Sequence, residues 1–144
     1  MMDGSAKNRR IAKSKPPWRE ITFKSSGSLY NLAEAVIDSF NFDFDHCFGF
    51  FSTDFKFPFN YDAKRQYELF TDIPDVEPTG AGSVKRTAIN EVWQKKGDTM
   101  AMLFDYGDMW WFIVRLLAIE QSKKGKKYPY VVKKRGVSPQ QYGY

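Results

Sequence analysis

A stripe of apolar residues at helical spacing begins at Leu29 and is the clearest pattern in the chain. Its members recur three or four positions apart, as they do on one face of an α-helix. They are Leu29, Leu32, Ala33, Val36, Ile37 and Phe40. Ser28 is a candidate N-cap, and Asn41 with the aspartates after it ends the pattern. We therefore predict a helix of about three turns whose apolar stripe faces a sheet.

Strand patterns lie on both sides of this helix. Trp18 to Lys24 alternates along its length, which predicts a strand. One face carries Trp18, Glu20, Thr22 and Lys24, and the other carries Arg19, Ile21 and Phe23. His46 to Ser52 is apolar on both faces and predicts a buried strand. Phe55 to Phe59 continues in an extended form, and its proline places it towards a sheet edge.

A hairpin signal dominates the second half of the chain. The apolar runs Met100 to Tyr106 and Trp110 to Ile119 flank the turn pair Gly107-Asp108. Because both runs are apolar on both faces, we expect both strands to be central in a sheet.

Shorter elements complete the pattern. Residues 71–86 hold prolines and glycines among acids and predict a loop. Thr87 is then expected to cap a short helix that carries Ile89, Val92 and Trp93, and residues 128–132 are expected to be extended.

These patterns predict one α+β domain. The expected fold is a mixed, mostly antiparallel sheet packed against one main helix and a short second helix, with a central hairpin at 99–119. Residues 1–15 are polar and basic, so we expect a flexible arm there. Residues 16–144 are expected to form the single domain, with a basic tail from about residue 123.

Composition narrows the class of protein. Aromatic residues make up 17% of the 144 residues, and because rings bury large areas we expect a firm core. No apolar run is long enough to span a bilayer, and the basic N-terminus lacks the apolar segment of a secretory signal. Cys47 is the only cysteine, which excludes an intrachain disulfide and a zinc site of paired cysteines. These features predict a cytoplasmic protein.

The net charge of +5 is unevenly distributed. Residues 1–19 hold six basic residues against one acid, and residues 123–135 hold seven basic residues and no acid. The interval 20–122 holds nine basic and sixteen acidic residues. Two basic ends therefore flank an acidic middle, and such ends either contact nucleic acid or remain solvated.

Groups that carry chemistry are few. Both common phosphate-binding motifs, G-x-x-x-x-G-K-[ST] and G-x-G-x-x-G, are missing, so we expect no cofactor. His46 is the only histidine, and it stands beside Cys47. Adjacent strand residues point to opposite faces, so these two do not form a thiolate–imidazolium pair, and Cys47 is expected to be a small buried residue. His46 with Asp43 and Asp45 offers ligand types for a divalent ion, although three residues in one turn rarely converge.

Asp105 and Asp108 flank the hairpin tip. Paired carboxylates serve acid–base or metal chemistry, but aspartates also hold turns by accepting backbone N–H groups, and the sequence favours the turn. If His46 lies across the sheet from Asp105, a small polar cluster results. The run Trp110-Trp111-Phe112 alternates across the sheet, so one face is core and the other is either core or a stacking platform for bases or a partner.

Several of these features occur together in a known order. They are Pro17-Trp18-Arg19, the helix Leu29–Phe40, Asp45-His46, Phe104-Asp105-Tyr106-Gly107-Asp108 with Trp110, Tyr128-Pro129, and Gly136-Val137-Ser138-Pro139. The set resembles the Ri-plasmid open-reading-frame-3-like family over about residues 16–142. Some members carry the label resolvase (TnpR) and travel on insertion elements. The resemblance implies an α+β fold and no known activity.

The chain departs from the family pattern at its closing motif. Where members have Pro-Pro-Glu-Asp, this chain has Pro139-Gln140-Gln141-Tyr142, and Phe48 or its neighbours replace a second histidine. These changes lower the expectation of catalysis. The resolvase label also lacks its chemistry here, since neither a serine ringed by arginines nor a helix-turn-helix pattern is visible.

Two functions from different classes remain. The sequence favours a non-catalytic binding or accessory protein of plasmids or mobile elements, contacting nucleic acid or a protein of the element through its basic ends. Its candidate nucleic-acid-binding residues are Arg9, Arg10, Lys126, Lys127, Lys133, Lys134 and Arg135. The alternative is a metal-dependent or hydrolytic enzyme centred on His46 and Asp105/Asp108. The candidate pocket residues are His46, Asp105, Tyr106, Asp108, Trp110 and Tyr128, with no catalytic residue and no metal ligand assigned.

Overall fold

The computed structural model describes residues 16–53, 64–77 and 79–142. In chain order the elements are β1 (Trp18–Thr22), α1 (Leu29–Ser39), β2 (Phe48–Ser52), β3 (Gln66–Glu68), a 3-10 turn (Leu69–Asp72), β4 (Gly82–Ser83), α2 (Ile89–Val92), β5 (Thr99–Phe104), β6 (Trp110–Arg115) and β7 (Tyr130–Arg135). The predicted α+β class, with one main helix and one short helix, is confirmed. The predicted arm 1–15 and the extended segment Phe55 to Phe59 lie outside the described residues.

The strands of the described residues form two sheets. Five strands make the larger sheet in the order β4-β3-β2-β5-β6, and β1 pairs with β7 in a two-stranded ribbon. All pairings are antiparallel except the short parallel contact of β3 with β4. Within the described residues no helix has the length and apolar character needed to cross a membrane.

Helix α1 forms where the sequence predicts it. The Ser28 hydroxyl accepts a hydrogen bond from the Asn31 N–H at 3.1 Å, which caps the first turn. Asn41 has φ of +58°, a left-handed conformation that ends helices and that asparagine tolerates. The apolar stripe of α1 is buried against rings of β2, β5 and β6, including Phe48, Phe104 and Phe112. This contact forms the larger of the two apolar clusters in the described residues.

Helix α2 begins one residue later than predicted, so the expectation that Thr87 caps it is wrong. Ala88 is the N-cap, and the Glu91 carboxylate accepts a hydrogen bond from the Ala88 N–H at 2.6 Å. The Thr87 carbonyl instead accepts the Leu29 N–H at 3.0 Å. This bond ties the chain before α2 to the start of α1, and tertiary contact therefore decides where the short helix begins.

The predicted hairpin is confirmed over Thr99–Arg115, whereas residues 116–119, expected to continue its second strand, lie beyond β6. Strand β5 lies in the interior of the sheet and β6 at its end. The expectation that both strands are central therefore fails for β6. Strand β6 has apolar side chains on both faces, and each face packs against one of the two apolar clusters. Trp110 and Phe112 join the core under α1, while Trp111 packs with Phe51 in a second cluster on the other face.

The loop predicted at 71–86 contains the end of the 3-10 turn and the two residues of β4. Asp72 organises it, because its carboxylate accepts hydrogen bonds from the Ser83 hydroxyl at 2.5 Å and from the Val84 N–H at 3.1 Å.

Arg19 joins the ribbon to α1 and to the chain after β7. The residue is only 3% exposed, and its guanidinium lies 4.4 Å from the centroid of the Phe40 ring. It donates hydrogen bonds to the carbonyls of Ser39 at 2.9 Å and Arg135 at 3.1 Å, and to the Ser138 hydroxyl at 2.9 Å. This buried cation therefore holds the C-terminal segment against β1 and the end of α1.

Candidate functional site

The imidazole of His46 lies between two carboxylates. His46 sits in the turn between α1 and β2, where Nδ1 is 2.7 Å from Oδ1 of Asp45 and Nε2 is 3.6 Å from Oδ2 of Asp105. The edge of its ring meets Phe104, with centroids 6.0 Å apart. The His46 side chain is 39% exposed, so the imidazole is accessible from solvent.

Asp105 has two roles, because its two carboxylate oxygens face different partners. Oδ1 accepts hydrogen bonds from the N–H groups of Gly107 at 3.0 Å and Asp108 at 3.1 Å, which holds the hairpin turn. Oδ2 faces His46. The Asp105 N–H also donates to the Cys47 carbonyl at 2.9 Å, which fixes the hairpin tip beside the start of β2.

The C-terminal segment completes this cluster. The Gln141 side-chain amide pairs with the backbone of Asp43, accepting its N–H at 2.7 Å and donating to its carbonyl at 3.0 Å. The Tyr142 hydroxyl donates a hydrogen bond to the Asp45 carboxylate. This hydroxyl, and after it His46, lowers the pKa of Asp45, while the carboxylate raises the pKa of Tyr142.

Sequence reasoning missed Gln141 and Tyr142. They stand where the closing motif departs from the family pattern, a change that by itself indicates only a lower expectation of catalysis. The position of this motif in the ordered family set was the available signal, since it placed the tail among the other marked segments.

The other four predicted pocket residues lie elsewhere. Tyr106 donates its hydroxyl to the Glu68 carboxylate, and its ring packs on Phe70. Asp108 is exposed at the hairpin tip. Trp110 is 1% exposed and packs against Phe42, while Tyr128 lies before β7 and accepts the Lys123 N–H at 3.0 Å. The structure therefore brings together only His46 and Asp105 from the predicted set.

Cys47 is half-buried and the aromatic run Trp110-Trp111-Phe112 is buried. Burial, with the nearby Glu68 carboxylate, raises the pKa of the half-buried Cys47 thiol, which disfavours the nucleophilic thiolate. Trp111 and Phe112 are buried, as is Trp110, so the alternative of a stacking platform on this run is wrong. Their rings fill the two clusters on either side of the sheet.

Metal binding finds no support in the described part of the chain. No group of three or more His, Cys, Asp or Glu side chains there is arranged to hold a metal ion. His46 is hydrogen-bonded to Asp45 through Nδ1 and lies within ion-pair distance of Asp105 through Nε2.

The basic segment 123–135 forms a second candidate site. All seven of its lysines and arginines are exposed, three of them on β7 and four in the loop before it. Of the predicted nucleic-acid-binding residues, Arg9 and Arg10 lie outside the described residues. Open grooves run between β7 and the end of α1, lined by Asp38, Ser39 and Val131 among others.

A model of the family described as plasmid pRiA4b ORF-3-like protein matches residues 10–143. The chain belongs to this family. The pRiA4b ORF-3-like chain is also similar in fold to a protein of unknown function, MM3350, from Methanosarcina mazei Go1, whose crystal structure superposes with a TM-score of 0.67. At 19% sequence identity the likeness shows the fold alone. The superposition covers 86% of this chain and 64% of the archaeal chain, so this chain spans less than two thirds of that protein. No curated protein matches the chain.

Proposed function

We propose that this pRiA4b ORF-3-like protein is a non-catalytic accessory protein of plasmids or mobile elements that binds nucleic acid through residues 123–135. The observation that carries the proposal is the concentration of seven exposed basic residues, without an acid, on β7 and the loop before it. Such a surface neutralises phosphates and releases their counterions.

Local geometry adds to the charge. The ribbon of β1 and β7 lies outside the five-stranded sheet. A two-stranded ribbon is narrow enough to approach a nucleic-acid groove or backbone. Lys133 and Lys134 stand on a strand that Arg19 anchors from the buried side, so the cations are carried by a fixed element.

A salt titration tests the proposal. Fluorescence anisotropy with a labelled duplex is expected to show binding at about 50 mM salt. The logarithm of the association constant should fall linearly with the logarithm of the salt concentration, with a slope of about −0.9 for each phosphate that is neutralised. The double variant Lys133→Gln/Lys134→Gln is expected to weaken binding and to reduce the slope by about 2.

The matched control removes the same charge elsewhere. Lys95→Gln/Lys96→Gln changes two exposed lysines in the turn before β5 and is expected to leave binding unchanged. Absence of binding at about 50 mM salt would contradict the proposal. Equal losses in the two double variants would also contradict it, because net charge and not this surface would then be responsible.

A second candidate function is hydrolysis at His46. The observation that favours it is the 2.7 Å contact of Asp45 with Nδ1 of the imidazole, because Nε2, beyond hydrogen-bond distance of Asp105 at 3.6 Å, is then the nitrogen that takes a proton. A carboxylate that orients an imidazole prepares it to take a proton from water in general base catalysis. Chromogenic carboxylic and phosphate esters are the probes. This function is supported if His46→Gln and Asp45→Asn each abolish the activity while the exposed control Asp75→Asn retains it. It is excluded if His46→Gln leaves the activity unchanged.

A further inference from the structure

The ribbon has two distinct faces. Arg19 and Ile21 point towards α1 and the core, since Arg19 packs on Phe40 and Ile21 contacts the main cluster. Side chains alternate along a strand, so Trp18, Glu20 and Thr22 point the opposite way. We call this second side of the ribbon the outer face.

A β-bulge decides which residues of β7 join the outer face. Trp18 pairs with Arg135 and Glu20 with Lys133, but the register then shifts, so that Thr22 pairs with Tyr130. Directly opposed residues of an antiparallel pair share a face. Without the extra residue at the bulge, Tyr130 and Lys133 would lie on opposite faces, since they are three positions apart. The bulge therefore gathers aromatic and basic side chains on one surface.

The outer face combines rings with cations. Trp18 and Tyr130 are half-buried, while Lys133 and Arg135 are exposed beside them. The ring of Tyr128 lies 5.5 Å from that of Tyr130, tilted by 41°. The other three tryptophans of the chain are at most 4% exposed, so the Trp18 indole is the one within reach of a ligand.

We infer that the outer face binds single-stranded nucleic acid, with bases stacked on Trp18 and Tyr130 and phosphates held by Lys133 and Arg135. This inference rests on the proposed function and names its ligand class. Single strands expose the faces of their bases, and base–aromatic stacking with a basic backbone track is how such strands are bound without sequence preference. A duplex hides those faces in its own stack, so only the cations of this surface contact it.

Lys126 responds to the ligand. Its ammonium lies 4.6 Å from the centroid of the Tyr130 ring, a cation–π contact at the place where a base stacks. An arriving base displaces this ammonium, which then pairs with a neighbouring phosphate. The Glu20 carboxylate lies opposite Lys133 on the same face and repels the phosphates of the strand.

The test compares a labelled oligothymidylate of about 20 nucleotides with a duplex of the same length, by anisotropy at one salt concentration. The single strand is expected to bind about tenfold more tightly, because each stacked base adds to the phosphate contacts. Trp18→Leu and Tyr130→Leu are each expected to weaken single-strand binding by about fivefold or more and to change duplex binding by less than about twofold. The single strand is also expected to quench tryptophan fluorescence in the wild type and not in Trp18→Leu.

Controls separate this inference from the proposed function. Tyr67→Leu removes a half-buried tyrosine on β3, away from the ribbon, and is expected to change neither affinity. Circular dichroism verifies folding of each variant, and Tyr130→Leu keeps the test decisive if Trp18→Leu does not fold. Equal affinities for both ligands, unchanged in Trp18→Leu and Tyr130→Leu, overturn single-strand selection and leave the proposed function standing. Absence of binding to either ligand overturns both.

Discussion

Nε2 of His46 lies 3.6 Å from Oδ2 of Asp105, at the point where the hairpin turn meets the start of β2. The contact exists because the turn uses the other oxygen of the same carboxylate, which accepts two backbone N–H groups. Asp105 also has φ of +65°, a conformation in which aspartate and asparagine are less strained than most residues. One side chain therefore shapes the turn and presents a charge to the histidine.

Asp105→Ala is expected to lower the free energy of unfolding by about 1–3 kcal/mol, because it leaves the N–H groups of Gly107 and Asp108 without their acceptor. Asp105→Asn is the matched control, since asparagine keeps an acceptor oxygen and tolerates the positive φ. Asp105→Asn is expected to lose clearly less stability than Asp105→Ala. Urea unfolding at neutral pH measures both, and equal losses would show that charge, not the turn, dominates.

Arg19→Lys is expected to destabilise the protein by about 3 kcal/mol. The ammonium has three donors on a flexible stem, so it cannot reproduce the planar fork that reaches Ser39, Arg135 and Ser138. The carbonyls of Ser39 and Arg135 then lose a charged donor. Arg86→Lys, a change at an exposed position, is the control and should shift the urea midpoint little. A midpoint in Arg19→Lys equal to that control would contradict the anchoring role.

Tyr142→Phe is expected to produce a stability loss that depends on pH. The Tyr142 hydroxyl holds the pKa of Asp45 below its ordinary value of 3.8, so the ionised carboxylate is favoured in the folded state. That contribution is present above the unfolded pKa and is lost as pH falls through the folded one. The difference in urea midpoint between wild type and variant should therefore be constant above about pH 5 and shrink below about pH 4.

Other carboxylates do not obscure this measurement. Backbone N–H groups of Gln94 and Lys95 also lower the pKa of Asp98, so wild-type stability changes in the same acidic range for a second reason. Since Asp98 is the same in both proteins, its effect cancels in the difference. A difference that stays constant down to about pH 2 would contradict the contact between Tyr142 and Asp45.

The sequence pattern is sufficient to predict an element whose start, apolar face and end all lie within a short stretch of the chain. The stripe of α1, its Ser28 cap and the Asn41 stop are all contained within a short stretch of sequence, and all were predictable. The place where α2 begins was not, because a hydrogen bond from Leu29 engages the Thr87 carbonyl. The position of β6 at the end of the sheet was not predictable either. A strand can be buried on both faces whether it has one neighbouring strand or two, so its apolar pattern does not show its place in the sheet.

The candidate sites divide in the same way. His46 and Asp105 were selected as residue types that carry chemistry, and their proximity required the pairing of β2 with β5. Gln141 and Tyr142 reach the site through the contacts of the C-terminal segment with Asp43 and Asp45, which no local periodicity encodes. The outer face of the ribbon depends on a bulge in a strand that the sequence marks only as basic and extended.

Gly49→Ala is expected to destabilise the protein by about 1–3 kcal/mol, through crowding alone. Gly49 lies within β2, where alanine fits the backbone, so the substitution by itself restricts the unfolded chain and favours folding. The added methyl group, however, would lie 2.8 Å from the Tyr106 hydroxyl and 3.0 Å from both Cγ of Glu68 and the Tyr67 carbonyl. It therefore presses on the hydrogen bond between Tyr106 and the buried Glu68 carboxylate.

The double variant Gly49→Ala/Tyr106→Phe, measured with both single variants in a thermodynamic cycle, tests this cause. The two losses should be clearly less than additive, because Tyr106→Phe removes the closest atom that the methyl group meets. Strict additivity would assign the cost to the Glu68 side chain and the Tyr67 backbone instead.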